Sequence, residues 1–338
     1  MKKYRIFSLH WMKHNFRIQL FAAVFLCAAG SSPLSAQTVK IHVHTIGDST
    51  VQFWPPASYP KTGWGQVIPY FFDSNKVGFY NEAVGGASSK SYYEKFWTNT
   101  LGHIGAGDVV FIQFGINDMN SKPVFHTEPM TTFKEYLVKY ITQTKAKGAY
   151  PVLITPMVEN KLADGSRGLY PLAIRQSADA LKIPLIDLDA ASKALLKTVG
   201  LDYSSKFIYM NLAPGEYTNY PVGCVDNTHL QEMGAIEMAK LVVQGLQKLN
   251  STPNISKLIL CLNPTYRITF LADSSAGLVT RNESFPTGLT VTAKALPDSG
   301  FKFVGWSGDL TSTNTITSFV MGSASKVIRA DFSIVSGQ

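Results

Sequence analysis

The chain has 338 residues, 45% of them apolar, which allows one large domain with a small one beside it and excludes a disordered or low-complexity protein. Its formal net charge of +8 would suit a nucleic-acid or membrane partner, but five of the 31 Lys and Arg and none of the 23 Asp and Glu fall in residues 1–36. From residue 37 onward 26 basic residues face 23 acidic ones, a balance of +3 that argues for no polyanion groove, and no nucleic-acid partner is expected.

Residues 1–36 run from a basic segment, Met1 to Arg17, into the apolar stretch Ile18 to Ala29 and then into small residues ending Ser35-Ala36-Gln37. The apolar stretch is too short to span a bilayer, so the segment reads as a secretory signal cleaved after Ala36, and the mature chain is expected to be secreted or periplasmic without a transmembrane segment. A lipoprotein anchor at Cys27 is the lesser alternative, because Leu26 is larger than the small residue such a site prefers. Cleavage leaves Cys224 and Cys261, 37 positions apart. A bridge between them and two separate reduced thiols both remain open.

The alternating run Val39 to His44 predicts a first strand, which leads into Ile46-Gly47-Asp48-Ser49-Thr50. There Gly47 permits a sharp change of direction, Asp48 can bond the local backbone, and Ser49 is left at the carboxyl end of a strand, where ligands gather in open α/β sheets. A plain strand-to-helix turn would explain this block equally well if it stood alone. Phe53 to Thr62, rich in Pro and aromatics, reads as an irregular loop, and Gly63-Trp64-Gly65-Gln66 opens a helix to Phe72. Val77 to Ala83 is a second strand, followed by the turn Val84-Gly85-Gly86-Ala87-Ser88 and a polar, aromatic helix through Trp97.

Asp108 to Phe114, apolar almost throughout, reads as a central parallel strand ending in Gly115-Ile116-Asn117-Asp118. Helices are predicted over Thr131 to Lys147, Tyr170 to Lys182 and Asp189 to Val199, and strands over Tyr150 to Thr155 and Pro184 to Leu188. Leu201 to Val225 reads as a long loop, Asp226-Asn227-Thr228-His229 follows, and Gln231 to Leu249 is the closing helix. Strands alternating with helices imply a parallel sheet covered on both faces, a three-layer α/β/α sandwich.

The texture changes at Asn250-Ser251-Thr252-Pro253-Asn254, and from Leu262 short alternating runs are separated by Gly, Pro, Asp and Ser. The chain thus divides into the signal (1–36), an α/β domain (37–250), a linker (251–261) and a small all-β module (262–338). Within the module, Phe303-Val304-Gly305-Trp306-Ser307-Gly308-Asp309 and Val327 to Phe332 resemble the internalin-type β repeat of secreted bacterial proteins.

A serine hydroxyl is a poor nucleophile until a base takes its proton, so Ser49 needs a histidine oriented by a carboxylate, and Asp226 with His229 supplies one. Of the other histidines, His42 and His44 lie within the first strand, while His103 and His126 lack a carboxylate so placed in the sequence. The blocks around Ser49, Gly86, Asn117 and His229 occur in the order that names the SGNH (GDSL-type) hydrolases, and the chain resembles that family.

Gly47-Asp48-Ser49-Thr50, Gly63-Trp64-Gly65, Ala83 to Ser88 and Phe111-Ile112-Gln113-Phe114-Gly115 are similar to rhamnogalacturonan acetylesterases over residues 40–248. Ile116 departs from the histidine such enzymes often carry there, which bears on pocket shape. The resemblance implies a flavodoxin-like sandwich and an oxyanion hole made by the Ser49 and Gly86 backbone N–H groups and the Asn117 amide. It also implies a serine esterase acting on an acetylated, pectic polysaccharide with no metal or organic cofactor. A lipase or thioesterase on the same scaffold is one alternative, and a carbohydrate-binding or adhesion protein with an idle hydrolase domain is another. The sequence leaves the oligomeric state open.

Overall fold

The computed structural model describes residues 40–161, 167–249 and 253–335; the export signal expected over 1–36, Cys27 included, lies outside them. Five strands, β1 (Ile41–Ile46), β2 (Val77–Asn81), β3 (Val109–Gln113), β4 (Tyr150–Ile154) and β5 (Leu185–Ile186), make one sheet in the order β2-β1-β3-β4-β5. Every neighbouring pair is parallel. The connections carry α1 (Trp64–Val67), α2 (Ser89–Lys95), α3 (Trp97–His103), α4 (Thr132–Ala146) and α5 (Tyr170–Leu181). After β5 come α6 (Leu188–Val199), α7 (Leu201–Phe207), the antiparallel pair β6 (Tyr209–Leu212) and β7 (Cys224–Leu230), then α8 (Glu232–Gln247) and α9 (Pro253–Ile259).

The two-residue period of a strand explains the three layers. Along β3, Val109 and Phe111 join the core formed with α1, α6 and α8, while Val110 and Ile112 join the core formed with α2, α3, α4 and α5. Helix α4 faces that second core with Phe133, Leu137, Tyr140, Ile141 and Thr144, one stripe at helical spacing. The chain leaves β1 toward one face and β3 toward the other. Their carboxyl ends therefore border the crevice where strand order reverses, the place at which open α/β sheets hold ligands.

Two sequence expectations are corrected here. Residues 201–225 are not one loop: Ser204 and Phe207 are buried in α7, β6 follows, and irregular chain is confined to 213–223. The segment expected as a linker holds α9, which starts with Pro253 and buries Ile255 and Leu258. Proline at the first helical position gives up no hydrogen bond, so it starts this helix. Cys224 and Cys261 are both free thiols, the second buried. No helix among the described residues is long and apolar enough to cross a membrane.

Seven more strands make up the C-terminal region: β8 (Thr265–Leu271), β9 (Gly277–Val279), β10 (Glu283–Pro286), β11 (Thr290–Pro297), β12 (Phe301–Gly308), β13 (Ile316–Val320) and β14 (Lys326–Ile334). They form the sheets β10-β8-β14-β12 and β13-β11-β9, antiparallel except for the pair β8 and β14. This region shares its core with the sandwich: Ile268, Phe270, Phe285, Val291 and Ala293 belong to one buried cluster with Met238, Val242 and Leu246 of α8. Helix α8 is accordingly buried on nearly all sides, including every residue from Met233 to Ala239.

Polar groups close the same junction. Lys294 of β11 ion-pairs with Glu216 in the 213–223 loop and donates to the Lys206 carbonyl at 2.6 Å. Burial pushes the Lys294 ammonium down, and the charge of Glu216 opposes that shift. Thr292 and Tyr59 both donate to Glu232, and the Arg281 N–H donates to the Tyr203 hydroxyl at 2.8 Å.

Phe285 is fully buried and its ring lies 6.0 Å from the Lys240 ammonium of α8. Phe285→Ala is expected to cost about 3–5 kcal/mol, the usual loss for a buried aromatic. A calorimetric scan should show one transition, lowered for the whole chain. Two transitions, with the larger unmoved, would mean that the β region unfolds by itself.

Candidate active site

The crevice at the ends of β1 and β3 is built from three hydrogen bonds in series. The Trp64 indole N–H donates to Gln113 Oε1 (2.8 Å), Gln113 Nε2 donates to Thr50 Oγ1 (2.8 Å), and Thr50 Oγ1 donates to Asp48 Oδ1 (2.8 Å). All four residues are buried. The Thr50 N–H also donates to Asp48 Oδ1 at 2.9 Å, a turn closed by the aspartate on its own backbone. Burial pushes the Asp48 carboxyl up, and the backbone and side chain of Thr50 work against that shift. Gly47 serves this turn through space more than through its torsion angles: a Cβ there would stand 2.8 Å from the Gln113 carbonyl and 2.7 Å from Val51 Cγ2.

Ser49 sits inside this frame, 8% exposed, and its carbonyl accepts from the Trp54 indole N–H at 2.9 Å. Its Oγ lies 2.9 Å from His229 Nε2, and His229 Nδ1 lies 2.6 Å from Asp226 Oδ2. With a proton on Nδ1 donated to Asp226, Nε2 is left to accept from the serine hydroxyl.

Asp226 and His229 come from strand β7, an element that the sequence did not announce. Residues three apart on a regular strand point to opposite faces. Here the register jumps, Tyr209 pairing Leu230 and Met210 pairing Asp226, so residues 227–229 bulge out of the ladder. The other Asp226 oxygen accepts the backbone N–H groups of Thr228 (2.9 Å) and His229 (3.0 Å), which turns the ring back over the carboxylate. Burial raises the Asp226 pKa, but the His229 ring and these N–H groups outweigh it and hold the carboxyl well below its ordinary range. The bulge is anchored from outside, where Asn227 Oδ1 accepts from Asn211 at 2.9 Å and the Asn227 carbonyl accepts from the Asn160 N–H at 2.9 Å.

The remaining expected residues are drawn to the same place. The loop holding Gly86 is tied to the first block by the Val84 N–H, which donates to the Gly47 carbonyl at 3.0 Å. Gly86 has φ +76°, a conformation side chains rarely adopt, and the space beside its α-carbon is open. Asn117 Nδ2 donates one hydrogen to the Ala87 carbonyl at 3.1 Å and keeps a second. Neither the Ser49 nor the Gly86 N–H has an acceptor among the described residues.

Asp118, to which the sequence assigned no part, joins the Gly86 and Asn117 blocks. It accepts from the Ser89 N–H (3.1 Å) and hydroxyl (2.5 Å), the Gly115 N–H (3.0 Å) and the Thr127 hydroxyl (2.8 Å). Burial pushes its pKa up to about 6 against those donors. The only sequence signal was an acid directly after Asn117.

A carboxylate partner does not by itself single out His229, because other histidines have acid partners too. His44 lies between Glu82 (3.2 Å) and Asp108 (3.3 Å), His103 meets Glu82 (2.9 Å) and His126 meets Glu128 (3.0 Å). His229 is set apart by Ser49 on its far nitrogen. Among the described residues no group of three or more His, Cys, Asp or Glu is placed to hold a metal ion.

Residues 45–207 match the model of the GDSL-like lipase/acylhydrolase family, and residues 266–336 match that of the divergent InlB B-repeat domain. Over 215 residues the chain is 39% identical to the rhamnogalacturonan acetylesterase RhgT of Bacillus subtilis (strain 168), covering 62% of this chain and 90% of RhgT. Over 214 residues it is 36% identical to the probable rhamnogalacturonan acetylesterase YesY of the same strain, covering 62% of this chain and 93% of YesY. The crystal structure of the YxiM protein from Bacillus subtilis aligns with TM-score 0.53 at 30% identity, covering 62% of this chain and 57% of that one.

Gln113→Leu keeps the volume of the side chain but leaves the Trp64 indole N–H without an acceptor in a buried place. The expected loss is about 1–3 kcal/mol, read from denaturant unfolding. An unchanged midpoint would show that the bond series adds nothing to the fold.

Proposed function

Since the chain belongs to the GDSL-like lipase/acylhydrolase family, and is therefore a carboxylic ester hydrolase, we propose that it removes O-acetyl groups from a pectic polysaccharide, with Ser49, His229 and Asp226 as its catalytic residues. The observation that carries this reading is the relay of 2.9 Å from Ser49 Oγ to His229 Nε2 and 2.6 Å from His229 Nδ1 to Asp226. Ser49 Oγ attacks the acetyl carbonyl carbon as its proton passes to Nε2, and Asp226, held ionised, stabilises the imidazolium. The carbonyl oxygen, now anionic, takes hydrogen bonds from the Ser49 and Gly86 N–H groups and the second Asn117 hydrogen. Collapse breaks the bond to the sugar oxygen, which leaves with the proton from Nε2. Water then attacks the acetyl-serine through the same base, and acetate departs.

The 39% identity to a rhamnogalacturonan acetylesterase over most of that enzyme's length supports the pectic substrate. Residues 1–36, with the composition of an export signal, fit an enzyme whose polymer lies outside the cell. Acetate release from acetylated rhamnogalacturonan, compared with acetylated xylan, tests the reading. The wild-type protein should prefer the former, and Ser49→Ala, which removes the bond-forming atom with little change in volume, should release none while melting at the same temperature. Full turnover by a folded Ser49→Ala protein would overturn the mechanism.

Asn117→Ala should lower kcat by roughly a hundred- to a thousandfold with KM nearly constant, as for loss of one oxyanion donor. A raised KM with kcat intact would assign Asn117 to sugar binding instead.

A further inference from the structure

A cleft of about 430 Å³ opens at Trp54, within the size range of small-ligand sites. Phe53, Trp54, Tyr59, Lys61, Gln66 and Asn219 are among the residues that line it, and no Asp or Glu is. Trp54 joins it to the catalytic face: its indole N–H donates to the Ser49 carbonyl at 2.9 Å, and its ring stands edge-on to that of His229, centroids 5.7 Å apart.

The Lys61 ammonium lies 4.6 Å from the centre of the Trp54 ring, held by attraction to the indole face. It makes no hydrogen bond or ion pair with any described residue. The neighbouring carboxylates are already engaged, Asp226 by His229, Glu232 by Tyr59 and Thr292, and Glu216 by Lys294. The cleft therefore presents one positive charge and no acid among its lining residues. The other groups suit a sugar: Phe53, 62% exposed, offers an apolar ring face, and Asn219, whose Nδ2 bonds the Tyr59 carbonyl at 3.0 Å, keeps its side-chain oxygen for a hydroxyl.

We propose that this cleft is a subsite for a uronate residue of the bound chain, with Lys61 receiving the uronate carboxylate. The inference rests on the reading of the protein as a polysaccharide acetylesterase and adds the residue that selects acidic chains over neutral ones. A lysine here acts as a point charge, so the preference is electrostatic and weakens with added salt.

Calorimetric titration of the Ser49→Ala protein with trigalacturonate and with xylotriose tests it. Trigalacturonate is expected to bind more tightly. That preference should fall about tenfold when Lys61→Gln is added, the size for loss of a charge-assisted hydrogen bond, and should survive Lys61→Arg. Absence of trigalacturonate binding, or a preference that Lys61→Gln leaves intact, would overturn the proposal. The titration reads binding and not turnover, so it decides the part of Lys61 whether or not Ser49 proves to be the nucleophile.

Discussion

Three buried hydrogen bonds in series, from Trp64 through Gln113 and Thr50 to Asp48, fix where the carboxyl ends of β1 and β3 stand relative to each other. Each bond is directional and out of reach of water, so neither strand can slide without leaving a donor unpaired in a low-dielectric place. The position of Ser49 is a product of that frame, because the residues on both sides of it are members of the series or packed against it. Asp118 repeats the device one layer out, using four donors on one carboxylate to lock the Asn117 turn to the start of α2. The face is thus built from backbone turns that buried side chains hold, which keeps donors where charge develops in an ester's transition state.

The histidine side of the site is secured differently. A bulge takes Asp226 and His229 out of strand alternation, and the amide groups of Asn160 and Asn211 hold the bulge from behind. The chain entering β7 passes through the 213–223 loop, which the C-terminal region grips through Lys294 and Glu216. A residue far along the chain thereby steadies the approach to the base, although it touches neither Ser49 nor His229.

The sandwich was legible because buried parallel strands and amphipathic helices write their periods into the sequence; β3 and α4 are the clearest cases. The residues now gathered at the crevice could be picked out because Ser49, Gly86 and Asn117 follow strands among turn-forming neighbours, and Asp226 with His229 stands just before a helix. What stayed hidden was non-local. Glu82, just past β2, and Asp108, just before β3, reach His44 from the flanks of neighbouring strands, and no spacing in the chain announces that meeting. Helix α7 and strand β6 were submerged by the Pro and Gly of the loop that follows them. The polar run Asn250 to Asn254 read as a linker because Pro253 breaks a helix only from within, and here it begins one. Gln113 was visible as part of a motif, but its bonds to Trp64 and Thr50 lie 49 and 63 positions away.

Helix α8 has no solvent side from Met233 to Ala239, and that bears on how the C-terminal region can diverge among relatives. A module hung on a flexible tether could be lost, duplicated or exchanged with little effect on its neighbour. Here the inward residues of the β region and the outward residues of α8 form a single packing problem, so changes in Phe285 and in the segment around Lys240 must be inherited together. Drift is free only on the far surface, at positions such as Val304, Val320 and Val327, which point to solvent. A homologue lacking the β region should carry a visibly more polar α8, a trace that survives in sequence even where the region itself is gone.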